Sequence, residues 1–581
     1  MKHRILFYFL IVLLFSCGNN AGVRNKQGEG GRFYGGNLRL SESDTCQTLL
    51  PMAITDASSA FVATQIHEGL MKLDPATLQP IPAIAEKVET DPNGLMYTFT
   101  IRKGVFFHDD PCFEGGKGRE VKAQDVKYSL ELLCKSSPDN QYFSSTLKDR
   151  VVGANESFAA SEKGQSKEVS GIQVIDDKTI AIQLQSPSTV FLQILAEPAC
   201  AVIPREAVEK YGLALKVGCG AFLVDKVGST RQQLILLRNP SYYGKDNLGN
   251  QLPFLDSVCI SYFSSKEKEF EAFKNNELDM IFSIPSQSVK QLVEEQIDQF
   301  EGKNPKYVLD NSAEMTSQYY VFNTKHKPFD QLLVRQAFNL AIDRQRIIDE
   351  VLKGQAYGPG IKGITPPVFS REGYPVNSLN GYDYNPAEAK KLMTKAGYKD
   401  GKGFPLVKVE LNSGGGKNTE VILEVQKQLK DNLGVELDFD VVSYSKKFDD
   451  DVHGRNFMMR DAWVADYPSP ETFLSLFYGA SVPDDSNAVS FPNIARYKSS
   501  VFDNYFAAGR DARTKDSSYA NFLRAEQCLL NDAALMVLWY EGNFRITRSR
   551  VKNYFSNGMR YRNYAEVYLQ DEKMPAASEK P

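Results

Sequence analysis

Residues 97–110 read YTFTIRKGVFFHDD. Residues 97–101 set aromatic or aliphatic side chains alternately with threonine, the period-two pattern of a half-buried strand, and Lys103-Gly104 ends it. Residues 179–184 (TIAIQL) show the same alternation, and between the two segments residues 123–133 carry Val126, Leu130 and Leu133 on one helical face. The pattern predicts a self-contained insert of strands around a helix.

Farther along, helices and strands keep alternating. Residues 331–353 read as one long amphipathic helix, with Val334, Ala337, Phe338 and Ala341 at helical spacing and Gly354 as its stop. Asn385-Pro386 supplies a cap and a first-turn proline for another helix, which Gly397 closes. A third, near 420–432, precedes Gly434 and the alternating strand 435–439. Helix, glycine, strand is the repeating unit of an α/β lobe. The chain has 581 residues, and single cores stop growing at about 250–300, so at least two lobes are expected. No tandem period and no domain-sized low-complexity segment interrupts them.

Hydrophobic residues make up 42% and charged residues 24%, a globular composition, and the net charge of −4 offers no basic excess to neutralise a phosphate backbone. Nucleic acid is therefore not an expected partner. Residues 1–4 form a basic head, residues 5–15 an apolar run too short to span a bilayer, and the run stops at Ser16-Cys17-Gly18. Residues 1–16 are expected to be a signal peptide. Leu14-Phe15-Ser16-Cys17 resembles a bacterial lipobox, which implies lipidation of Cys17, with residues 17–32 as a flexible tether. No later stretch approaches 18 continuous apolar residues, so the expected location is the cell envelope, lipid-anchored on the extracytoplasmic face. Apart from Cys17 the cysteines are Cys46, Cys112, Cys134, Cys200, Cys219, Cys259 and Cys528, an odd number, so at least one is unpaired within the chain. Cys112 and Cys134 bracket a polar loop and a helix and form the candidate disulfide, against buried thiols as the alternative.

Catalytic patterns are missing. His67, His108, His326 and His453 are dispersed, and His67-Glu68 is followed by Met71 where a zinc-protease helix needs its second His. There is no G-x-S-x-G elbow, P-loop or Cys-x-x-Cys. Residues 413–417 (SGGGK) lack Walker spacing and read as a surface turn, and Asp449 to Asp451 read as a solvated face. The expectation is a non-enzyme with no catalytic residue, cofactor or metal.

Further short motifs follow one another in order: Ile66-His67-Glu68-Gly69-Leu70, the 97–110 stretch, Asp125-Val126-Lys127-Tyr128-Ser129, and residues 217–222 (VGCGAF). Then come Arg238-Asn239-Pro240-Ser241-Tyr242-Tyr243, Glu277-Leu278-Asp279, Phe322-Asn323-Thr324, Pro328-Phe329-Asp330, residues 334–337 (VRQA) and 341–344 (AIDR), residues 384–389 (YNPAEA) and residues 461–468 (DAWVADYP). In this series, from about residue 35 to 555, the chain resembles the peptide- and nickel-binding family 5 of extracellular solute-binding proteins that serve ABC importers. Most landmarks read as scaffold, Asn239-Pro240 as a turn and Asp343-Arg344 as a helix-borne ion pair.

The resemblance implies a two-lobed α/β periplasmic-binding-protein fold, type II of the large three-segment variety, with a hinge and an inter-lobe cleft. Lobe I would cover residues 33–310, including a peripheral subdomain at about 72–184. Lobe II would cover 311–530, the chain would return to lobe I over 531–571, and 572–581 would be a disordered tail. The implied function is capture of a short peptide by lobe closure and delivery to the permease and its cytoplasmic ATPase. In peptide-binding relatives the Asp in this position clamps the ligand's α-ammonium, and Asp466 is the match; a structural Asp capping the turn before Pro468 is the alternative. Arg460 falls where some relatives place an Arg that meets the peptide carboxylate. Trp463 and Tyr467 are candidate cleft walls, Trp463 equally a candidate for core, and Lys353 is a second candidate for the carboxylate. The sequence departs from the family pattern at Leu50-Pro51 and at Cys219, so lobe I contacts stay open. The same fold binding a nickel chelate, heme or oligosaccharide is the alternative, followed by an exported peptide hydrolase.

Overall fold

The computed structural model describes residues 26–570 except 43, 264, 283, 285–287, 289–305 and 413–416. The expected signal segment, Cys17, most of the tether, the turn at 413–416 and the tail from 572 lie outside the described residues.

Sheet order explains how the chain is divided. One nine-stranded sheet runs through the molecule in the order Met458–Val464, Tyr307–Phe322, Leu535–Arg548, Met280–Ile281, Asn37–Glu42, Ser257–Tyr262, Gln233–Arg238, Phe222–Val224, with Gly358–Pro359 added beside Leu535–Arg548. The antiparallel pair Tyr307–Phe322 and Leu535–Arg548 is the long link between its two ends. At one end Ile281 pairs with Ile546, and at the other Tyr320 pairs with Arg460. The ladder between the long strands breaks in register between Ala313 and Ser317. An irregularity of this kind bends the ribbon and increases its twist where the chain passes from one half of the molecule to the other.

The insert expected from residues 97–110 is present. Ala85–Thr90, Met96–Ile101, Thr179–Gln183 and Ile172–Asp176 form a four-stranded antiparallel sheet. Phe99, Ile101, Ile180 and Ile182 share a core with Val126, Leu130 and Leu133 of helix Ala123–Leu133, and each such fully buried side chain contributes about 1.5–3 kcal/mol.

Three of the quoted landmarks meet in one knot. Gly218 and Gly220 lie against the backbone of Ile66, so close that a Cβ would sit 2.1 Å and 2.5 Å from the nearest Ile66 and Gln65 oxygens, respectively. Gly220 donates its N–H to the Ile66 carbonyl (2.8 Å), and His108 donates its own to the Gly218 carbonyl (2.8 Å). Burial pushes His67 and His108 down to about 4, so both rings are neutral scaffold.

The long helix expected over 331–353 is interrupted. Leu332–Ala341 is helical, Ile342 is extended, and Asp343 caps a new turn by accepting from the Arg346 N–H (3.1 Å) before a wider segment, Ile347–Val351. The break carries Arg344 into the core, where its guanidinium donates to the carbonyls of Asn339 (3.0 Å) and Val537 (2.5 Å) and makes no ion pair with Asp343. Buried carbonyls and a buried guanidinium satisfy one another there, at the cost of helix continuity. By contrast Asn385 caps Pro386–Lys395 as expected, and Gly434 follows helix Lys417–Leu433 with φ 70°. The acidic run is not one solvated face: Asp451 is buried against Lys447 (2.6 Å).

Cys112 and Cys134 are both free thiols, as are the other five described cysteines, so the candidate disulfide is not formed. Desolvation pushes the thiols of Cys112 and Cys134 up, to about 11 and about 12.

Candidate functional site

Strand Met458–Val464 pairs with Tyr307–Phe322 as far as Val464, and Ala465 adds one more bond by donating to the Met315 carbonyl (2.9 Å). The chain then turns through Asp466-Tyr467-Pro468-Ser469-Pro470 into the short helix Glu471–Leu474. Proline sets the entry to that helix, and its first turn aims Thr472 back at the turn it came from. Thr472 Oγ1 donates to Asp466 Oδ2 (2.7 Å) and accepts from the Asp466 N–H (3.2 Å) and from Trp463 Nε1 (3.1 Å). One hydroxyl therefore fixes the carboxylate and the indole together.

Among the described residues no cation pairs with Asp466, and its Oδ1 receives no hydrogen bond. Desolvation pushes its carboxyl up to about 6, against the opposing bond from Thr472. Glu197, at the start of the turn Pro198–Cys200, stands near it from the other half of the molecule and is 6% exposed. Burial first, and the Asp466 charge second, push Glu197 well above the usual carboxylate range, and its Oε1 is buried without a hydrogen-bond partner. The phenol of Tyr142 lies within the field of both carboxylates. Asp466 and Glu197 are thus two desolvated acids held near each other.

Side chains from distant parts of the chain meet here. Arg150, from the segment beside the four-stranded sheet, forms a buried ion pair with Glu471 and donates to the Tyr467 hydroxyl (3.3 Å). Ser186 donates to Asp511 (2.9 Å) across the same boundary. A larger polar cavity of about 600 Å³ lies between the halves, with Glu42 and Phe61 on one side and Lys417 and Glu541 on the other.

Comparison with known proteins gives this arrangement a family. The model of "Bacterial extracellular solute-binding proteins, family 5 Middle" matches residues 79–484. The chain belongs to family 5 of the bacterial extracellular solute-binding proteins. This solute-binding protein is 26% identical over 522 residues to the periplasmic oligopeptide-binding protein OppA of Salmonella typhimurium, covering 87% of this chain and 88% of the relative. It is 29% identical over 357 residues to the glutathione-binding protein GsiB of Salmonella choleraesuis, covering 61% of this chain and 60% of that one. Among solved structures, the periplasmic binding protein DppA from Helicobacter pylori in complex with peptide STSA superposes with a TM-score of 0.76 at 24% identity, covering 93% of this chain and 99% of that one. The Escherichia coli murein tripeptide binding protein MppA gives 0.73 at 22% identity, covering 92% and 98%, and its unliganded open form gives 0.68 at 21% identity, covering 92% and 97%. These likenesses establish the two-lobed α/β fold of the family.

The residues singled out in the sequence fall in different places in this solute-binding protein. Asp466 and Trp463 share Thr472, and Trp463 is half-buried against the core that holds Phe473, Phe477 and Phe522. Tyr467, a candidate cleft wall, is buried in the core that includes the insert, and its hydroxyl accepts from Arg150. Arg460 is three residues before Trp463 on a strand, so it projects from the opposite face. It donates to Gln318, which donates to Glu541 (2.9 Å), and Lys417 donates to the same carboxylate oxygen (3.1 Å). Arg460 thus reaches the large cavity only through this relay and does not meet Asp466. Lys353 is exposed in a left-handed conformation (φ 53°) at the end of its helical segment and is not among the residues lining the large cavity. Glu197, Thr472 and Arg150 were missed. For Glu197 a signal was available: it is the sole charge in residues 190–203 (VFLQILAEPACAVI), and a lone acid in an apolar run has a reason to be there.

Proposed function

We propose that this solute-binding protein captures short peptides by their α-ammonium group as its lobes close, and delivers them to the permease of an ABC importer. The observation that carries the reading is Asp466, desolvated, with one oxygen satisfied by Thr472 and, among the described residues, no cation on the other. A peptide ammonium supplies three donors and a positive charge, the complement of that oxygen. Its relatives, oligopeptide- and glutathione-binding proteins among them, point to the same solute class. On this reading residues 33–310 and 531–571 form one lobe and 311–530 the other, with 72–184 as a peripheral subdomain. Lipid on Cys17 holds the protein at the membrane, and the protein releases its ligand unchanged rather than turning it over. A peptide library screened by thermal shift, with product analysis of the same samples, tests this. Saturable stabilisation with intact peptide is expected, and cleavage products or stabilisation by no peptide would contradict it.

A further inference from the structure

The nine-stranded sheet ends at Phe222–Val224, which has a neighbouring strand on one side only, Gln233–Arg238. On that inner side Asp225 donates its N–H to the Ile235 carbonyl (2.9 Å), Asn239 donates to the Ala221 carbonyl (2.9 Å), and Leu223 stands opposite Leu237. Peptide groups alternate along a strand, so those of Phe222 and Val224 point outward at the edge. Among the described residues neither the N–H nor the carbonyl of Val224 takes a hydrogen bond, although the residue is only 6% exposed. An unpaired edge is a template for another strand.

Two cavities flank this edge, and Val224 lines both. The first, of about 650 Å³, has Leu223, Leu237 and the exposed ring of Phe106 as its apolar floor. Its carboxylates are already committed: Asp109 to Lys117 (2.6 Å), Asp110 to Lys226 (2.5 Å), and Asp225 to the N–H groups of Val227 (3.0 Å) and Gly228 (2.9 Å). The second, of about 560 Å³, is lined by Leu234, which by strand alternation lies on the opposite face of the sheet from Leu237. Its charged lining is cationic throughout, Lys216, Lys226 and Arg231, with no carboxylate. Lys216 and Arg231 are exposed and, among the described residues, in no ion pair. Neither cavity shares a lining residue with the polar cavity that holds Lys417 and Glu541.

We propose that this edge is a docking site for an extended, acidic segment of a partner protein, which adds as a further strand beside Phe222–Val224. Successive residues of an added strand face opposite sides of the sheet, so the segment alternates in character. Its acidic side chains enter the cationic cavity and reach Lys216 and Arg231, and its apolar ones lie on Leu223, Leu237 and Phe106. Backbone pairing supplies affinity, and the two cavities supply the sequence preference. The site is separate from Asp466 and does not depend on what the cleft binds.

The probe is the capped peptide acetyl-Glu-Val-Glu-Val-Glu-amide, which has no α-ammonium for Asp466, compared by calorimetry with its counterpart carrying lysine in place of glutamate. The full-length protein is expected to bind the acidic probe about tenfold or more tightly than the basic one, and the combined Lys216→Glu and Arg231→Glu protein to lose or reverse that preference. Two N-methylated versions of the acidic probe, one modified at its valines and one at its inner glutamate, test the backbone. Only the donors on one side of an added strand meet the edge, so one version is expected to lose binding and the other to keep it. Equal affinity for the acidic and basic probes, or binding of neither, overturns the site and leaves Lys216 and Lys226 as charges that guard the edge. N-methylated versions that bind alike overturn strand addition, and a charge preference that survives the combined substitution places the probe elsewhere and overturns it too.

Discussion

Asp466 has exchanged most of its water for one hydroxyl, and its charged form is accordingly disfavoured until a cation arrives. The sign of the resulting pH dependence is definite. Its carboxyl stands at about 6 rather than 3.8 in the ligand-free protein, so its protonated form stabilises the fold at low pH and that contribution is lost as pH rises from about 4 to about 6. An ammonium ligand needs the ionised form, so binding releases a proton below about pH 6, and affinity should fall by about tenfold per pH unit there while staying flat above it. Calorimetry at pH 5.0 and 7.5 in buffers of different ionisation enthalpy measures both, and a pH-independent affinity would contradict the assignment. The residue scale is also where sequence reading was weakest. Asp466 could be singled out because it sits in a motif, whereas Glu197 depends on a lobe-to-lobe approach across residues distant in the chain. For Tyr467 and Arg460, strand alternation and the turn after Val464 decide which way each points, and motif position does not.

At the scale of elements, the register break at Ala313 to Ser317 is the point on which the two halves depend. Glu314 within it is buried and ion-paired with Arg560 from the C-terminal segment, and Met315 donates to the Gly558 carbonyl (2.6 Å). Burial pushes the Glu314 carboxyl up and Arg560 opposes that shift. Arg560 is itself 39% exposed and Arg562 also acts on the acid, so Arg560→Leu should lose about 1–3 kcal/mol of stability at neutral pH, read by chemical denaturation. A loss within error of zero would mean that Glu314 is protonated and the pair is not ionic. Elements were the most legible level in the sequence. The strand 97–101, the helix 123–133 and the Asn385 cap follow from local patterns and were read correctly, while the break after Ala341 did not announce itself. It goes with the reach of Arg344 to the Val537 carbonyl in the strand Leu535–Arg548, almost two hundred residues away in the chain.

For the whole molecule, two lobes joined by two long strands can separate as rigid bodies if the contacts between them are few. The contacts across the closure include the pair Arg150–Glu471, with Glu471 1% exposed, and the bond from Ser186 to Asp511. Arg150→Ala should therefore shift the ligand-free protein toward an open form and raise the peptide dissociation rate. Small-angle scattering checks the first, as a larger radius of gyration than the wild type without ligand, and stopped-flow release checks the second. Unchanged values in both would assign the pair to structure alone. The ordered series of motifs made the two-lobed fold readable from sequence, but closure was not readable, since it depends on side chains from opposite lobes meeting.

Whether Asp466 holds the amino terminus of a peptide is tested by pairing one peptide with its N-acetylated form on the wild type and on Asp466→Asn. The wild type should bind the free-amine peptide far more tightly, and Asp466→Asn should remove about 2–5 kcal/mol of that binding while changing the acetylated peptide little. Equal losses for the two peptides, or none for the free amine, would contradict the claim.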